Sequence, residues 1–178
     1  MTQPRLEFHD GYSIPQLGFG LWQIPEGRTA EVVATAAQAG YQLFDGAAIY
    51  GNEAGLGQGL RDSGVARDDL FVTTKIWNSR QGFDSTLAAF DDSSARLGLD
   101  RLDLVLIHWP CPSKDRYVDT WRALIRLRDE GRITSIGVSN FNAAQVDRLT
   151  QETGVTPVLN QVEVNPRLPQ EALATAMA

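Results

Sequence analysis

The chain has 178 residues, a net charge of −6, one cysteine and two histidines. A chain of this length buries most of the surface that its unfolded form exposes, so it needs no disulfide bonds. A single cysteine forms none internally, which fits a reducing, cytoplasmic location. No stretch of about 18 apolar residues could cross a membrane, and the first residues lack the apolar core of a signal peptide. The acidic balance argues against nucleic-acid binding, which needs cations to neutralise phosphates.

The order of apolar and polar residues predicts a hairpin followed by alternating strands and helices. The hairpin covers Leu6–Ile14, where HDG separates LEF from YSI, and it could close one end of a barrel. The apolar runs predict strands over Gln16–Gly20, Tyr41–Asp45, Leu70–Lys75, Leu102–His108, Ile133–Ser139 and Val158–Glu163. The amphipathic segments predict helices over Thr29–Ala39, Asn52–Arg61, Ser85–Leu97, Asp119–Asp129, Ala143–Gln151 and Gln170–Met177.

This alternation allows two α/β architectures. A doubly wound nucleotide-binding sheet would carry G-x-G-x-x-G after its first strand, but Gln23 stands where the third glycine belongs. A (βα)8 barrel instead gathers polar residues at the carboxyl ends of its strands. Here the polar strand ends are Asp45, Lys75, His108, Ser139, Asn140, Gln161 and Glu163. We therefore predict a fold of the TIM-barrel type with its first six βα units present.

Four of these side chains could act together on a carbonyl group. Lys75 at the end of an apolar strand needs a counter-charge, and Asp45 on the neighbouring strand would supply it. Tyr50 follows Asp45 closely, and a nearby lysine would lower the pKa of its phenol from the ordinary value of about 10. Such a phenol can protonate a developing alkoxide, while His108 donates a hydrogen bond to the same oxygen.

Each of these residues also has an ordinary structural interpretation. The Asp45–Lys75 pair could be a structural ion pair, and Ser139 with Asn140 could form a helix N-cap. The presence of candidates at the ends of successive strands favours a shared site over chance. The two histidines form no ligand cluster, so we expect no metal centre. We expect Cys111 to be a loop residue rather than a nucleophile.

Six ordered segments resemble those of the aldo-keto reductases: LGFGLWQI, DGAAIYGNE, FVTTKIWN, DLVLIHWP, IGVSNF and NQVEVNP. The resemblance runs from Leu6 to Pro166, and it is strongest to the bacterial diketo-gluconic acid reductase branch. It implies a TIM barrel that binds NADPH without a Rossmann fold and reduces small-molecule aldehydes and ketones. It also implies a catalytic tetrad, with Tyr50 as general acid, that consists of Asp45, Tyr50, Lys75 and His108.

The resemblance implies further contacts by position. The residues that would hold the nicotinamide are Ser139, Asn140 and Gln161, with Asp45. The residues that would line the substrate pocket are Trp22, Ile49, Trp77 and Trp109, with His108. Glu53 in YGNE is expected to serve the start of a helix. Gly46, where the family usually has threonine, is expected to loosen the backbone slightly.

The length of the chain bears on these expectations, because a complete barrel takes about 250 residues. We expect one domain over residues 1–178 that is incomplete at its C-terminus, since the family continues through two more strands. Those strands supply the aromatic residue that stacks on the nicotinamide and the loop that binds the cofactor phosphates. Two alternatives to a working reductase therefore stay open: a catalytically impaired fragment, and a non-catalytic binding module. The sequence leaves the substrate, the choice between NADPH and NADH, and the oligomeric state open.

Overall fold

The computed structural model describes residues 3–177 and contains two sheets. An antiparallel hairpin pairs β1 (Arg5–Glu7) with β2 (Ser13–Pro15). The second sheet consists of β3 (Gly18–Gly20), β4 (Leu43–Asp45), β5 (Phe71–Ile76), β6 (Leu102–Ile107), β7 (Ile133–Ser139) and β8 (Asn160–Gln161). Each of its strands pairs in parallel with the next strand along the chain. The predicted six parallel strands and N-terminal hairpin are confirmed.

Helices connect the parallel strands and cover one side of the sheet. They are α1 (Glu26–Gln38), α2 (Glu53–Asp62), α3 (Phe83–Leu97), α4 (Tyr117–Asp129), α5 (Ala143–Thr153) and α6 (Glu171–Met177). Short 3₁₀ turns cover Ala48–Tyr50, Arg67–Asp69 and Asn78–Arg80. Within residues 3–177, we find no helix with both the length and the apolar character needed to cross a membrane.

The strands divide their apolar side chains between two layers, because successive residues point to opposite faces. The layer against the helices includes Val72, Ile76, Val105 and Ile107. The layer on the opposite, inner face consists of Phe71, Leu104 and Leu106. Phe8 and Ile14 from the hairpin segment pack against this inner layer. The Ser135 hydroxyl donates to Asp10 Oδ2 at 2.8 Å, so the turn of the hairpin is also bonded to the sheet.

Several element boundaries differ from the prediction for local reasons. Helix α1 begins at Glu26 rather than Thr29, which places an acidic side chain in its first turn. Helix α4 begins at Tyr117, so Asp119 does not cap it and instead pairs with Arg122 one turn later. Strand β8 is shorter than predicted, since β7 is its one neighbour among the described strands.

Glycines in α2 allow unusually close packing between helices. A methyl group at Gly57 would collide with the main-chain carbonyl of Leu97 at the end of α3. A methyl group at Gly59 would lie 2.5 Å from the main-chain oxygen of Ala30 in α1. These two positions therefore accept no side chain while α2 keeps its contacts on both sides.

We predict that Gly57→Ala destabilises the protein although alanine favours helix formation. The collision with backbone atoms should cost about 1–3 kcal/mol, as overpacking does elsewhere. The matched control is Gly27→Ala in α1, where an added methyl group meets nothing within 4 Å. That control should be neutral or stabilising by about 0.5 kcal/mol. Urea unfolding of both variants measures the difference, and equal stabilities would contradict the packing argument.

Candidate active site

A buried ion pair lies where β4 and β5 end. Lys75 is 1% exposed, and its Nζ donates to both carboxylate oxygens of Asp45 at 2.8 Å. It also donates to the Gly46 carbonyl oxygen at 2.9 Å, so all three ammonium hydrogens have partners. Burial lowers the pKa of Lys75, and the bound carboxylate of Asp45 opposes that shift. The predicted pairing of Asp45 with Lys75 is therefore present at the end of the sheet.

Tyr50 and His108 complete a cluster around this pair. Tyr50 is the last residue of the Ala48–Tyr50 turn, and the centroid of its phenol ring lies 5.3 Å from Lys75 Nζ. His108 directly follows β6, and its ring centroid lies 5.9 Å from that of Tyr50 at an interplanar angle of 83°. The structure thus brings together all four residues that the sequence predicted for proton chemistry.

The structure corrects the expected effect of Lys75 on the phenol. Burial, together with the negative charge of Asp45, raises the pKa of Tyr50 to about 12 instead of lowering it. The ammonium of Lys75 does not reverse this shift, because its charge is offset by the carboxylate that it binds. Tyr50 is therefore protonated throughout the neutral pH range.

His108 is held in its neutral form. Burial and the nearby charge of Lys75 lower the pKa of His108 to about 4, although Asp45 acts in the opposite direction. A neutral imidazole has one N–H donor and one acceptor nitrogen. Its Nδ1 is buried and has no hydrogen-bond partner among residues 3–177. At neutral pH the site therefore presents an uncharged phenol and an uncharged imidazole.

Polar residues at the ends of β7 and β8 adjoin this cluster. The Ser139 hydroxyl donates to the main-chain oxygen of Gln161 at 2.8 Å. The Asn140 amide donates to the main-chain oxygen of His108 at 3.0 Å and to Ser139 Oγ at 3.1 Å. The Gln161 amide donates to Asp45 Oδ1 at 3.2 Å. These three residues therefore form one hydrogen-bonded network with the Asp45–Lys75 pair and His108.

The alternative interpretation of Ser139 and Asn140 as a helix cap is wrong. Asn142 caps α5, and it forms a reciprocal capping box with Gln145. Asn140 instead has a left-handed backbone with φ of 63°. This conformation is uncommon for a residue other than glycine and is often found at functional sites.

An aromatic cleft of about 500 Å³ opens over Tyr50 and His108. Its lining consists of Trp22, Gln23, Ile49, Tyr50, Trp77, His108 and Trp109, which include every residue predicted for the substrate pocket. The Trp77 ring packs edge-on against the His108 ring at 5.0 Å between centroids. A larger cavity of about 750 Å³ lies between α5, β8 and α6, away from the four clustered residues.

Comparison with known proteins shows the family to which the chain belongs. The model of the aldo/keto reductase family matches residues 16–178. The chain belongs to the aldo/keto reductase family. It is 54% identical over 170 residues to an aldo-keto reductase of Mycolicibacterium smegmatis, covering 96% of this chain and 62% of the relative. It is 48% identical over 169 residues to glyoxal reductase of Bacillus subtilis, covering 94% of this chain and 60% of the relative.

Solved structures of aldo/keto reductases share the fold of this chain. A Brucella melitensis aldo/keto reductase superposes with a TM-score of 0.95 at 54% identity, over 98% of this chain and 68% of that one. A Bombyx mori aldo-keto reductase in complex with NADP superposes with a TM-score of 0.92 at 37% identity, over 99% and 63%. The predicted barrel-type fold is therefore confirmed for the part of the barrel that this chain spans. Membership of the diketo-gluconic acid reductase branch stays a prediction.

The residues at the ends of β7 and β8 fit one end of a nicotinamide cofactor. The Ser139 hydroxyl, both hydrogens of the Asn140 amide and one of the two hydrogens of the Gln161 amide are directed to protein acceptors. Among the described residues, no donor binds the side-chain oxygens of Asn140 and Gln161. Two such acceptors suit the NH₂ group of a carboxamide.

Glu53 has structural contacts with more elements than the sequence indicated. It lies in the first turn of α2 as expected, but its carboxylate is buried. Thr74 donates to Oε1 at 2.6 Å, and Arg96 donates to Oε2 at 2.8 Å. Glu53 therefore joins α2 to β5 and α3. The sequence indicated the role at the helix start, because an acidic residue lies next to a predicted helix N-terminus. It gave no indication of the contacts with Thr74 and Arg96, which are 21 and 43 residues away in the chain.

Gly46 makes two main-chain hydrogen bonds beside the ion pair, and the expected loosening of the backbone there stays a prediction. Its N–H donates to the Thr73 carbonyl oxygen at 2.9 Å, and its own carbonyl accepts from Lys75. An added Cβ would lie 3.2 Å from Leu56 Cδ2, so a larger residue would need its neighbours to shift. The glycine fits a crowded position beside the ion pair.

We predict that the His108 imidazole titrates near pH 4, well below its ordinary value of 6.5. Stability should consequently fall between about pH 6.5 and pH 4, because the unfolded chain then gains a proton that the folded chain does not. In Lys75→Met the pKa of His108 should rise, since the neighbouring cation is lost. NMR titration of the ring C–H signals, assigned with a His9→Gln variant, measures both values. A value at or above 6.5 for the wild-type protein would contradict this electrostatic description.

Proposed function

We propose that this chain carries the catalytic site of an NADPH-dependent reductase of aldehydes and ketones within a single domain. The observation that carries the proposal is the meeting of Tyr50, His108 and the Asp45–Lys75 pair at the base of an aromatic cleft. Such a site has proton donors for an oxygen but no activated nucleophile, which suits carbonyl reduction better than hydrolysis.

The two uncharged donors have separate tasks in this proposal. Neutral His108 donates a hydrogen bond to the carbonyl oxygen and orients the substrate. Tyr50 gives its proton to the same oxygen as that oxygen becomes an alkoxide. A bound NADPH would supply the hydride that the carbonyl carbon takes up. Because a phenolate with this raised pKa is a strong base, Tyr50 then regains its proton from solvent.

The raised pKa of Tyr50 makes proton transfer depend on the progress of the reaction. A phenol with a pKa of about 12 is too weak an acid to protonate a ground-state carbonyl oxygen. It transfers its proton readily to an alkoxide, which is a far stronger base. The proton therefore moves when negative charge develops on the oxygen, which favours the transition state over the bound substrate.

The cofactor and substrate assignments draw support from relatives. The Bacillus subtilis relative is named a glyoxal reductase, and the Bombyx mori structure contains NADP. Asn140 and Gln161 would accept hydrogen bonds from the carboxamide of the nicotinamide, with Ser139 and Asp45 supporting them. The apolar lining of the cleft suits small carbonyl compounds. A cytoplasmic location is part of the same proposal.

We predict that Tyr50→Phe lowers reductase activity by at least about 100-fold, because the proton donor of the reaction is lost. NADPH consumption at 340 nm with methylglyoxal measures the rate. NADPH affinity, measured by fluorescence titration, should stay close to that of the wild-type protein. The matched control is Tyr12→Phe, an exposed hairpin position that should leave the rate unchanged. Turnover by Tyr50→Phe at the wild-type rate would exclude Tyr50 as the acid.

We predict that Gln161→Leu weakens NADPH binding about three- to tenfold, since one carboxamide contact of about 1 kcal/mol is lost. Gln151→Leu on α5 is the control, and it should leave the affinity unchanged. Fluorescence titration of the 178-residue chain measures both affinities.

The same titration of the unaltered chain bears on the two alternatives to a working reductase. NADPH binding without turnover would favour the binding module, and absence of both binding and turnover would favour the impaired fragment.

A further inference from the structure

The turn that carries Trp22 is fixed by a side chain from another part of the chain. Leu21 and Ile24 form the ends of this turn, and the Ile24 N–H donates to the Leu21 carbonyl oxygen at 3.1 Å. The Asn52 amide, which is 1% exposed, donates to the main-chain oxygens of both Leu21 and Ile24 at 2.9 Å. One buried amide group therefore clamps both ends of the turn that presents Trp22 to the cleft.

A second buried amide acts in the same way on the loop that carries Trp109. The Gln81 side chain is 3% exposed, and its amide donates to the main-chain oxygen of Trp109 at 2.7 Å. The preceding carbonyl, that of His108, accepts from the Asn140 amide. Side-chain donors therefore hold two successive carbonyl groups at the point where β6 leads into the wall of the cleft.

The amide oxygens of Asn52 and Gln81 indicate that these residues serve as donors. Both oxygens are buried and have no hydrogen-bond partner within residues 3–177. A buried polar atom without a partner lowers stability, and an apolar side chain of the same size would avoid that cost. A residue selected for packing alone would not be an amide at these two positions.

Neither amide is used to cap the helix that follows it. Asn52 stands at the N-cap position of α2 but makes no side-chain capping hydrogen bond. Gln81 precedes Gly82, which occupies the N-cap position of α3. The donors of both side chains are therefore directed to the loops of the cleft and not to the helices.

We propose that Asn52 and Gln81 are positioning residues that set the shape of the substrate cleft, and thereby the size of carbonyl compound it accepts. This inference rests on the proposed function, since it assumes that the cleft receives the substrate. Asn52 fixes the Trp22 turn relative to Tyr50, which lies close to it in sequence. Gln81 fixes the Trp109 loop relative to His108. Neither residue would contact the reacting atoms. Asn52 acts through the main chain of Leu21 and Ile24 on either side of Trp22, and Gln81 acts through the main chain of Trp109.

The test uses Asn52→Leu and Gln81→Met, which keep the number of side-chain heavy atoms and remove the donors. With phenylglyoxal, KM should rise at least about fivefold while kcat changes less than about twofold. With the smaller methylglyoxal, KM should change less than about twofold. Ser63→Ala is the control, because it removes a buried side-chain hydrogen bond at the far end of α2. That control should lower the melting temperature without altering either KM.

Amide hydrogen exchange tests the same inference and does not depend on enzymatic turnover. In Asn52→Leu the Ile24 amide should exchange at least about tenfold faster, because its turn loses both clamping bonds. Asn52→Ala provides a second variant in case the leucine side chain does not pack. Unchanged exchange at Ile24 together with an unchanged KM for phenylglyoxal would overturn the inference. If the wild-type chain reduces neither compound, the proposed function fails, and the exchange rates alone decide whether Asn52 fixes the turn.

Discussion

The ion pair between Lys75 and Asp45 is the interaction on which the site depends. An ammonium group that is almost fully buried would be strongly destabilising without a partner. Asp45 ends β4, and Lys75 lies on β5, which is paired in parallel with β4 through Thr73 opposite Asp45. The pair therefore forms only when these strands are neighbours in this register. Fold and chemistry are linked here, because a shift of one residue would send Lys75 into the helix-facing layer.

The Asp45–Lys75 pair contributes to the pKa shifts of two neighbouring side chains, Tyr50 and His108. The carboxylate of Asp45 adds to the effect of burial and raises the pKa of Tyr50, whereas the ammonium of Lys75 helps to lower that of His108. Both shifts leave an uncharged hydrogen-bond donor at neutral pH. Uncharged donors beside a compensated ion pair interact weakly with a neutral carbonyl and more strongly with an oxygen that gains negative charge. This difference is the basis of electrostatic stabilisation of a transition state.

The sequence predicts the position of a residue well where that position follows from the alternation of side chains along a strand. Asp45, Lys75 and His108 continue the inner face of their strands, and parallel strands carry their carboxyl ends to one edge. The direction of the Tyr50 pKa shift could not be predicted, because it depends on burial and on which charge faces the phenol. The role of Asn52 was hidden for a similar reason. An asparagine before a helix predicts a cap, whereas its actual partner, Leu21, is 31 residues away.

The start of α2 connects Tyr50, the proposed acid, to three other elements. Asn52 and Glu53 are consecutive, yet the first binds the turn before α1 and the second binds β5 and α3. The glycines on α2 bring the helix against α1 and α3 closely enough for these bonds to form. Tyr50 precedes these anchors in a short turn, so its position is fixed from the helix side, while Lys75 is fixed from the sheet. The phenol and the ammonium thus approach each other from two independently braced elements, which limits how far either can move when charge develops between them.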